Sequence, residues 1–220
     1  MELNTYIDHT LLNPTATESD IIQLCEEAKR FNFYAVCVNS SYVPIAKQVL
    51  GHSEVKLCTV VGFPLGAMST EAKIFEAKKA IEQGANEIDM VMNIGFLKSK
   101  NHVAVLKDIS NVKKAIGRVP LKVILEISEL SKNEIVKACE ICIDGKADFV
   151  KTSTGFSKSG ATLTAVKIMK KTVRDYVRIK ASGGIRDAET AWKYIEVGVD
   201  RIGTSSGVAM MSNKYSNSSY

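Results

Sequence analysis

Two lysines stand where apolar strands end. Lys151 closes the run ADFVK and opens KTSTG, and Lys180 sits in VRIKASGG. Among aliphatic neighbours an ammonium is costly unless it reaches water or a partner. One reading is two unrelated lysines that simply reach solvent. The other is a pair. Adjacent parallel strands lie about 4.8 Å apart, so two such groups approach within several ångströms in a partly dry cleft. A second cation and desolvation both favour a neutral amine, the form that attacks a carbonyl to give a Schiff base. A fall of about 3 pKa units corresponds to ~4 kcal/mol of differential interaction. Asp89 lies within the apolar run EIDMVM. A buried carboxylate there needs a partner, and a lysine from a nearby strand would serve. Its role is structural, or it moves protons through a water between carbonyl, amine and carbon. Asp8 in YIDHT, Lys122 in LKVIL, Glu126 and Cys37 are candidates to line or brace the same cleft.

Such groups need a frame that brings distant strands together. Apolar runs suited to strands occur at Tyr6–Asp8, Ala35–Asn39, Lys56–Val61, Glu87–Met92, Leu121–Ile127, Ala147–Thr152, Val177–Ala181 and Arg201–Thr204. Most lack polar alternation, as strands covered on both faces do. Amphipathic helical stretches separate them. Thr17 precedes Ile21, Leu24, Cys25 and Ala28 at helical spacing, Ser131 and Glu134 fit a capping box, and Ser69 can cap a helix that Gly84 follows. A weak repeat places Gly84, Gly145 and Gly198 each at a helix end, before a polar turn and a strand. Eight strand–helix units in 220 residues predict a single-domain α/β fold, a compact (β/α)8 TIM barrel over residues 1–211 with a polar tail at 212–220. An open doubly wound sheet is the alternative, but GxGxxG does not occur.

The 24.0 kDa chain carries 29 basic and 24 acidic residues, a net charge of +5 and a pI near 8.8. With 45% hydrophobic and 24% charged residues it is neither a disordered chain nor a disulfide scaffold. No apolar run reaches membrane-spanning length and no signal pattern opens the chain, so a cytoplasmic location is expected, with reduced thiols at the five scattered cysteines. The basic stretch at 167–180 reads as a solvated helix face, not a nucleic-acid patch. The run 155–162 imitates a P-loop but has Ala161 where the phosphate-binding lysine belongs. Cys139 and Cys142 form a lone CxxC on an apolar helix face, and His9, His52 and His102 belong to no metal motif, so no metal is expected.

Barrel chemistry sits at the C-terminal ends of the strands. Two loops there suit phosphate: Ser182-Gly183-Gly184 after the seventh strand and Gly203-Thr204-Ser205-Ser206-Gly207 after the eighth. Small residues let backbone N–H groups face an anion, and a short helix near Ser205 adds its positive end. Ordinary tight turns are the alternative.

Over nearly its whole length the chain resembles the class I, Schiff-base family of 2-deoxyribose-5-phosphate aldolases. The resemblance rests on IDHTLL at 7–12, VGFPLG at 61–66, EIDMVMNIG at 87–95, KVILE at 122–126, DFVKTSTGF at 148–156, IKASGGIR at 179–186 and RIGTSSG at 201–207. It implies a (β/α)8 barrel without metal or organic cofactor. Lys151 would be the Schiff-base lysine, Lys180 the cation that lowers its pKa, and Asp89 the partner in proton transfer. Gly155, Gly183, Gly184, Ser205 and Ser206 would line the phosphate site. Two departures stand out: LEISEL at 125–130 lacks the family's commoner threonine, and Ser159 replaces a frequent glycine.

The implied reaction is reversible cleavage of 2-deoxy-D-ribose 5-phosphate to acetaldehyde and D-glyceraldehyde 3-phosphate. Expected partners are small-molecule phosphosugar and aldehyde substrates, with a homodimer as candidate assembly and neither nucleic acid nor membrane. The rivals are another lysine-dependent phosphosugar aldolase or transaldolase, and a phosphosugar-binding protein without turnover. Tyr220 ends the chain. Some family members end in a tyrosine that folds back into the site, so a catalytic Tyr220 and a disordered tail are both open readings.

Overall fold

The computed structural model describes residues 2–212. Eight parallel strands form a closed barrel in sequence order: β1 (Ile7–Leu11), β2 (Ala35–Val38), β3 (Lys56–Val61), β4 (Glu87–Val91), β5 (Leu121–Ile124), β6 (Phe149–Lys151), β7 (Arg178–Ser182) and β8 (Arg201–Thr204), with β8 returning to β1. The helices that follow them are α1 (Glu18–Phe31), α2 (Val43–Leu50), α3 (Thr70–Glu82), α4 (Ile94–Lys98), α5 (His102–Ile116), α6 (Lys132–Asp144), α7 (Leu163–Val173), α8 (Ala188–Glu196) and α9 (Gly207–Met211). The (β/α)8 barrel read from the sequence is therefore the observed fold.

Local signals explain the outer ring. Thr17 and Asp20 form a reciprocal capping box at α1, as Ser131 and Glu134 do at α6, and Ser69 accepts from Ala72 N at α3. Each such cap contributes roughly 1 kcal/mol. The helices bury one stripe, Ile21, Leu24, Cys25 and Ala28 in α1 and Ile135, Ala138, Cys139, Ile141 and Cys142 in α6. All residues of β2 and β4 are buried, because helices cover one face and the barrel interior the other. The outer layer also holds one buried charge pair. Lys73 Nζ lies 2.6 Å from Asp108 Oδ2 and donates to Val91 O at 3.0 Å, fastening α3 and α5 to the end of β4.

Several strand boundaries differ from the sequence reading, two of them with a clear local cause. Tyr6 belongs to a 3-10 turn over Leu3–Tyr6, and β1 runs on to Leu11. β5 stops at Ile124, not Ile127, because Glu126 takes left-handed backbone (φ 56°) and turns the chain into a short 3-10 segment. Gly145 closes α6 as read, and the left-handed residue is the one after it, Lys146 (φ 60°). Gly145 is small for another reason: a Cβ there would stand 2.8 Å from Ile109 Cγ2.

Candidate active site

Side chains alternate across a strand, so residues two apart in β4 share a face. Glu87 and Asp89 both enter the barrel, where they meet cations from four other strands. Asp89 is the hub. Lys151 Nζ and Lys180 Nζ both donate to its Oδ2 at 2.8 Å, and Lys122 Nζ donates to its Oδ1 at 2.8 Å. Where one lysine partner was expected, three converge, from β5, β6 and β7.

The contacts continue into a closed circuit. Lys180 Nζ lies 2.5 Å from Asp8 Oδ2. Asp8 Oδ1 accepts from Arg201 Nε at 2.8 Å and also from Arg201 Nη2. Arg201 reaches both oxygens of Glu87 at 3.3 Å. Glu87 Oε2 lies 2.7 Å from Lys122 Nζ, which returns to Asp89. Three cations and three anions alternate around this ring, and their charges cancel. Lys151 is the seventh group, attached to the ring through Asp89 and placed at the C-terminal end of β6.

Burial and charge compete at each member. Burial raises the Asp89 carboxyl, but Lys122, Lys151 and Lys180 outweigh it and hold it well below the usual carboxylate range. Burial also raises Asp8, yet Arg201, Lys180 and Lys122 bring it down to about 2. Burial alone would strip the proton from Lys180. Asp8 and Asp89 reverse this and keep it well above an ordinary lysine, and Asp89 foremost does the same for Lys122. The ring thus favours Asp89 as a carboxylate and Lys180 and Lys122 as cations.

The wall beside Asp89 is apolar. Leu12, Cys37, Cys58, Val60 and Phe63 form a cluster, and Phe63 meets Phe156 edge to face with ring centroids 5.3 Å apart. Cys58 Sγ donates to Asp89 Oδ1 at 3.0 Å and accepts from Lys122 Nζ at 3.3 Å. Cys37 faces Cys58 in register. In the segments after β5 and β6, Glu126 Oε2 accepts from Thr154 Oγ1, which in turn accepts from Phe156 N at 3.0 Å. Burial, acting against these hydrogen bonds, pushes the Glu126 carboxyl upward. This chain shapes the loop that carries Gly155.

The glycine-rich loops lie at the same end of the barrel. Ala161 N donates to Gly183 O at 3.0 Å, and a Cβ on Gly160 would stand 2.1 Å from that oxygen. The P-loop-like run is therefore packed on the β7 loop. Gly183 takes φ 91°, and its own Cβ would meet Gly160 Cα at 2.7 Å. Ser182 Oγ ties the β7 loop to Ser153 O at 2.8 Å. After β8, Ser206 is the N-cap position of the one-turn helix α9, and its N–H is committed to Thr204 Oγ1 at 2.9 Å. Ser205 precedes it in the loop. Tyr220 lies outside the described residues.

Arg201, Glu87 and Cys58 were missed in the sequence reading. The available signal was period two, since Glu87 and Asp89 must share a side of β4. Two sets, Cys37 with Cys58 and Asp89, and Asp8 with Cys58 and Glu87, bring donor atoms within 4.8 Å of one another. A divalent ion there would have to displace ammonium and guanidinium groups from the same carboxylates. Among the described residues no helix is long and apolar enough to cross a membrane.

A closed parallel barrel that gathers an amine, a carboxylate and glycine-rich loops at the C-terminal ends of its strands has the build of a barrel enzyme acting on a small carbonyl compound. The comparisons with known proteins narrow that class. Residues 3–217 match the DeoC/LacD family aldolase profile, and the chain belongs to this family. It is 55% identical over 214 residues to a deoxyribose-phosphate aldolase of Mycoplasmopsis pulmonis, covering 97% of each chain. Over 220 residues it is 54% identical to deoxyribose-phosphate aldolase 1 of Mesoplasma florum, covering 100% of both. Among solved structures it superposes on a tetrameric deoxyribose phosphate aldolase from Aeropyrum pernix with TM-score 0.86 and 34% identity, covering 96% of this chain and 90% of that one.

Proposed function

We propose that this aldolase reversibly cleaves 2-deoxy-D-ribose 5-phosphate to acetaldehyde and D-glyceraldehyde 3-phosphate through a Schiff base on Lys151. The observation that carries the reading is the single oxygen, Asp89 Oδ2, 2.8 Å from both Lys151 and Lys180. A nucleophilic amine, a permanent cation and a permanent carboxylate thus share one point.

The chemistry follows from those three groups. The free amine of Lys151 adds to the aldehyde carbon of the open-chain sugar, and loss of water gives an iminium. The C3 hydroxyl gives up its proton, the C2–C3 bond breaks, and its electron pair moves into the iminium to leave an enamine. Protonation of C2 and addition of water release acetaldehyde and restore the amine. Asp89, held as a carboxylate, orients Lys151 and the water that carries protons between oxygen, nitrogen and carbon. Lys180 supplies a positive charge that disfavours a second ammonium beside it. The wall of Leu12, Val60 and Phe63 accepts the two-carbon fragment. Gly155, Gly183, Gly184, Ser205 and Ser206 hold the phosphate, which fixes the distance to the reacting aldehyde.

Borohydride reduction in the presence of acetaldehyde, followed by peptide mapping, tests the assignment. The adduct should sit on Lys151, and Lys151→Ala should abolish both trapping and turnover. An adduct on Lys180 would reverse the two roles. Tyr220 is proposed as a further proton carrier. The proposed assembly is a homodimer, and light scattering that returns a monomer or tetramer would overturn it.

A further inference from the structure

The proposed mechanism leaves two nucleophiles in the site unused. Cys37 and Cys58 are paired in register on β2 and β3, and neither is exposed. Their sulfurs and an oxygen of Asp89 lie within 4.8 Å of one another. We propose that Cys37 and Cys58 are an oxidation site: a hydroperoxide entering the barrel mouth converts them to a disulfide that switches the enzyme off reversibly.

Four observations support this. First, the two thiols stand in different electrostatic settings. The facing Cys58 side chain lowers Cys37 against the upward push of burial, with Lys180 and Lys151 acting in the same direction. Burial and the facing Cys37 raise Cys58. Cys37 is therefore the attacking sulfur and Cys58 the protonated partner, the asymmetry that thiol oxidation needs. Second, the route exists if the site works as proposed. Lys151 is only 2% exposed and still has to meet an aldehyde, and a hydroperoxide of similar size can follow. Third, the geometry permits a bond. Adjacent strands place Cα atoms about 4.8 Å apart, inside the range disulfides adopt. Side chains on neighbouring strands run parallel instead of converging, so the bond is strained and easily reduced. Fourth, the other cysteines lack these features. Burial pushes Cys25 and Cys139 up to about 12 and raises Cys142 as well, and all three lie on helix faces turned to the core.

The steps balance. The Cys37 thiolate attacks the terminal oxygen of the hydroperoxide, the O–O bond breaks, and an alcohol leaves after taking a proton. Cys37 is now a sulfenic acid. The Cys58 sulfur attacks it, giving up its own proton, and the S–O bond breaks to release water. Two thiols are oxidised and one peroxide is reduced. The new bond removes the Cys58 proton that Asp89 Oδ1 accepts and ties the apolar wall of the site. Losing a hydrogen bond to a charged group corresponds to a rate loss of about tenfold or more.

The test treats the whole enzyme with hydrogen peroxide, digests it without reductant and maps the peptides, with turnover of deoxyribose 5-phosphate measured in parallel. The expected result is a Cys37–Cys58 cross-link, slowed by bound substrate, with a parallel loss of turnover of about tenfold or more and recovery of both on adding dithiothreitol. Cys58→Ser should make the loss irreversible, because Cys37 then oxidises past the sulfenic acid. The wild-type map stands even if that variant folds poorly. Oxidation confined to Cys25, Cys139 or Cys142, or a Cys37 sulfinic acid with no cross-link in the wild type, overturns the site. A cross-link with unchanged turnover overturns the switch. The effect on turnover rests on the aldolase reading, whereas the cross-link is read by mass alone, so the two fail separately.

Discussion

Replacing Lys180 by leucine tests the electrostatic core of the proposed mechanism. Lys151 Nζ and Lys180 Nζ each lie 2.8 Å from Asp89 Oδ2, so they are no more than about 5.6 Å apart. At an effective dielectric of about 20, two unit charges at that distance repel by roughly 3 kcal/mol. That repulsion opposes any proton on the Lys151 amine, and Lys180→Leu removes it. The ring then carries one uncancelled negative charge, which a Lys151 ammonium can neutralise. About 3 kcal/mol corresponds to roughly two decades. Imine formation at neutral pH should therefore slow about a hundredfold, and the pH–rate profile should move to higher pH. At sufficiently high pH the variant should approach the wild-type plateau. The fold should survive, since Asp8 keeps Arg201 and Asp89 keeps Lys122 and Lys151. The assay is single-turnover borohydride trapping with acetaldehyde across a pH series, with circular dichroism as the folding control. A variant whose profile keeps its wild-type position, or whose rate falls by one constant factor at every pH, refutes the two-cation argument.

Three other perturbations probe separate parts of the site. Ser206→Asp places an anion at the proposed phosphate loop and should weaken deoxyribose 5-phosphate far more than unphosphorylated deoxyribose, whereas equal losses in KM would misplace the loop. Asp8 is held at about 2 against an ordinary 3.8. It contributes about 2 kcal/mol of stability, present in full above roughly pH 4 and lost as pH falls toward 2. Urea midpoints between pH 5 and pH 2 should show that slope in the wild type and a shallower one in Arg201→Met, and an unchanged slope would remove Arg201 as the cause. Tyr220→Phe should slow exchange of acetaldehyde methyl protons with deuterated water while leaving trapping at Lys151 intact. Exchange at the wild-type rate in this variant and in a tail-deleted protein would show that the tail takes no part.

The legible parts of this molecule are those written in local pattern. Lys151, Lys180 and Asp89 announce themselves because charged residues within apolar strands are costly and need a cause. The eight strands and their order follow from apolar runs separated by capped helices. The ring was not legible, because it depends on which strands become neighbours and which residues then share a level. Arg201 in β8 meets Asp8 in β1 only because the barrel closes. Cys58 is one of five scattered cysteines in the sequence, and only register sets it opposite Cys37 and beside Asp89. The end of β5 was misread because KVILE continues an apolar run. What stops the strand is Glu126, whose left-handed backbone sends Ile127 N to Thr152 O at 3.0 Å.

The closed ring bears on how a two-ended substrate enters. Six alternating charges that cancel exert little field beyond their own contacts, so the interior does not draw a phosphate dianion inward. A barrel lined with uncompensated lysines would attract that group to its floor and bury the aldehyde end at the mouth. In the proposed site the anion would stop at the loops after β7 and β8, leaving the uncharged aldehyde to travel on to Lys151. Which end of the sugar goes first would then be decided before any contact with the nucleophile, by the neutrality of the ring.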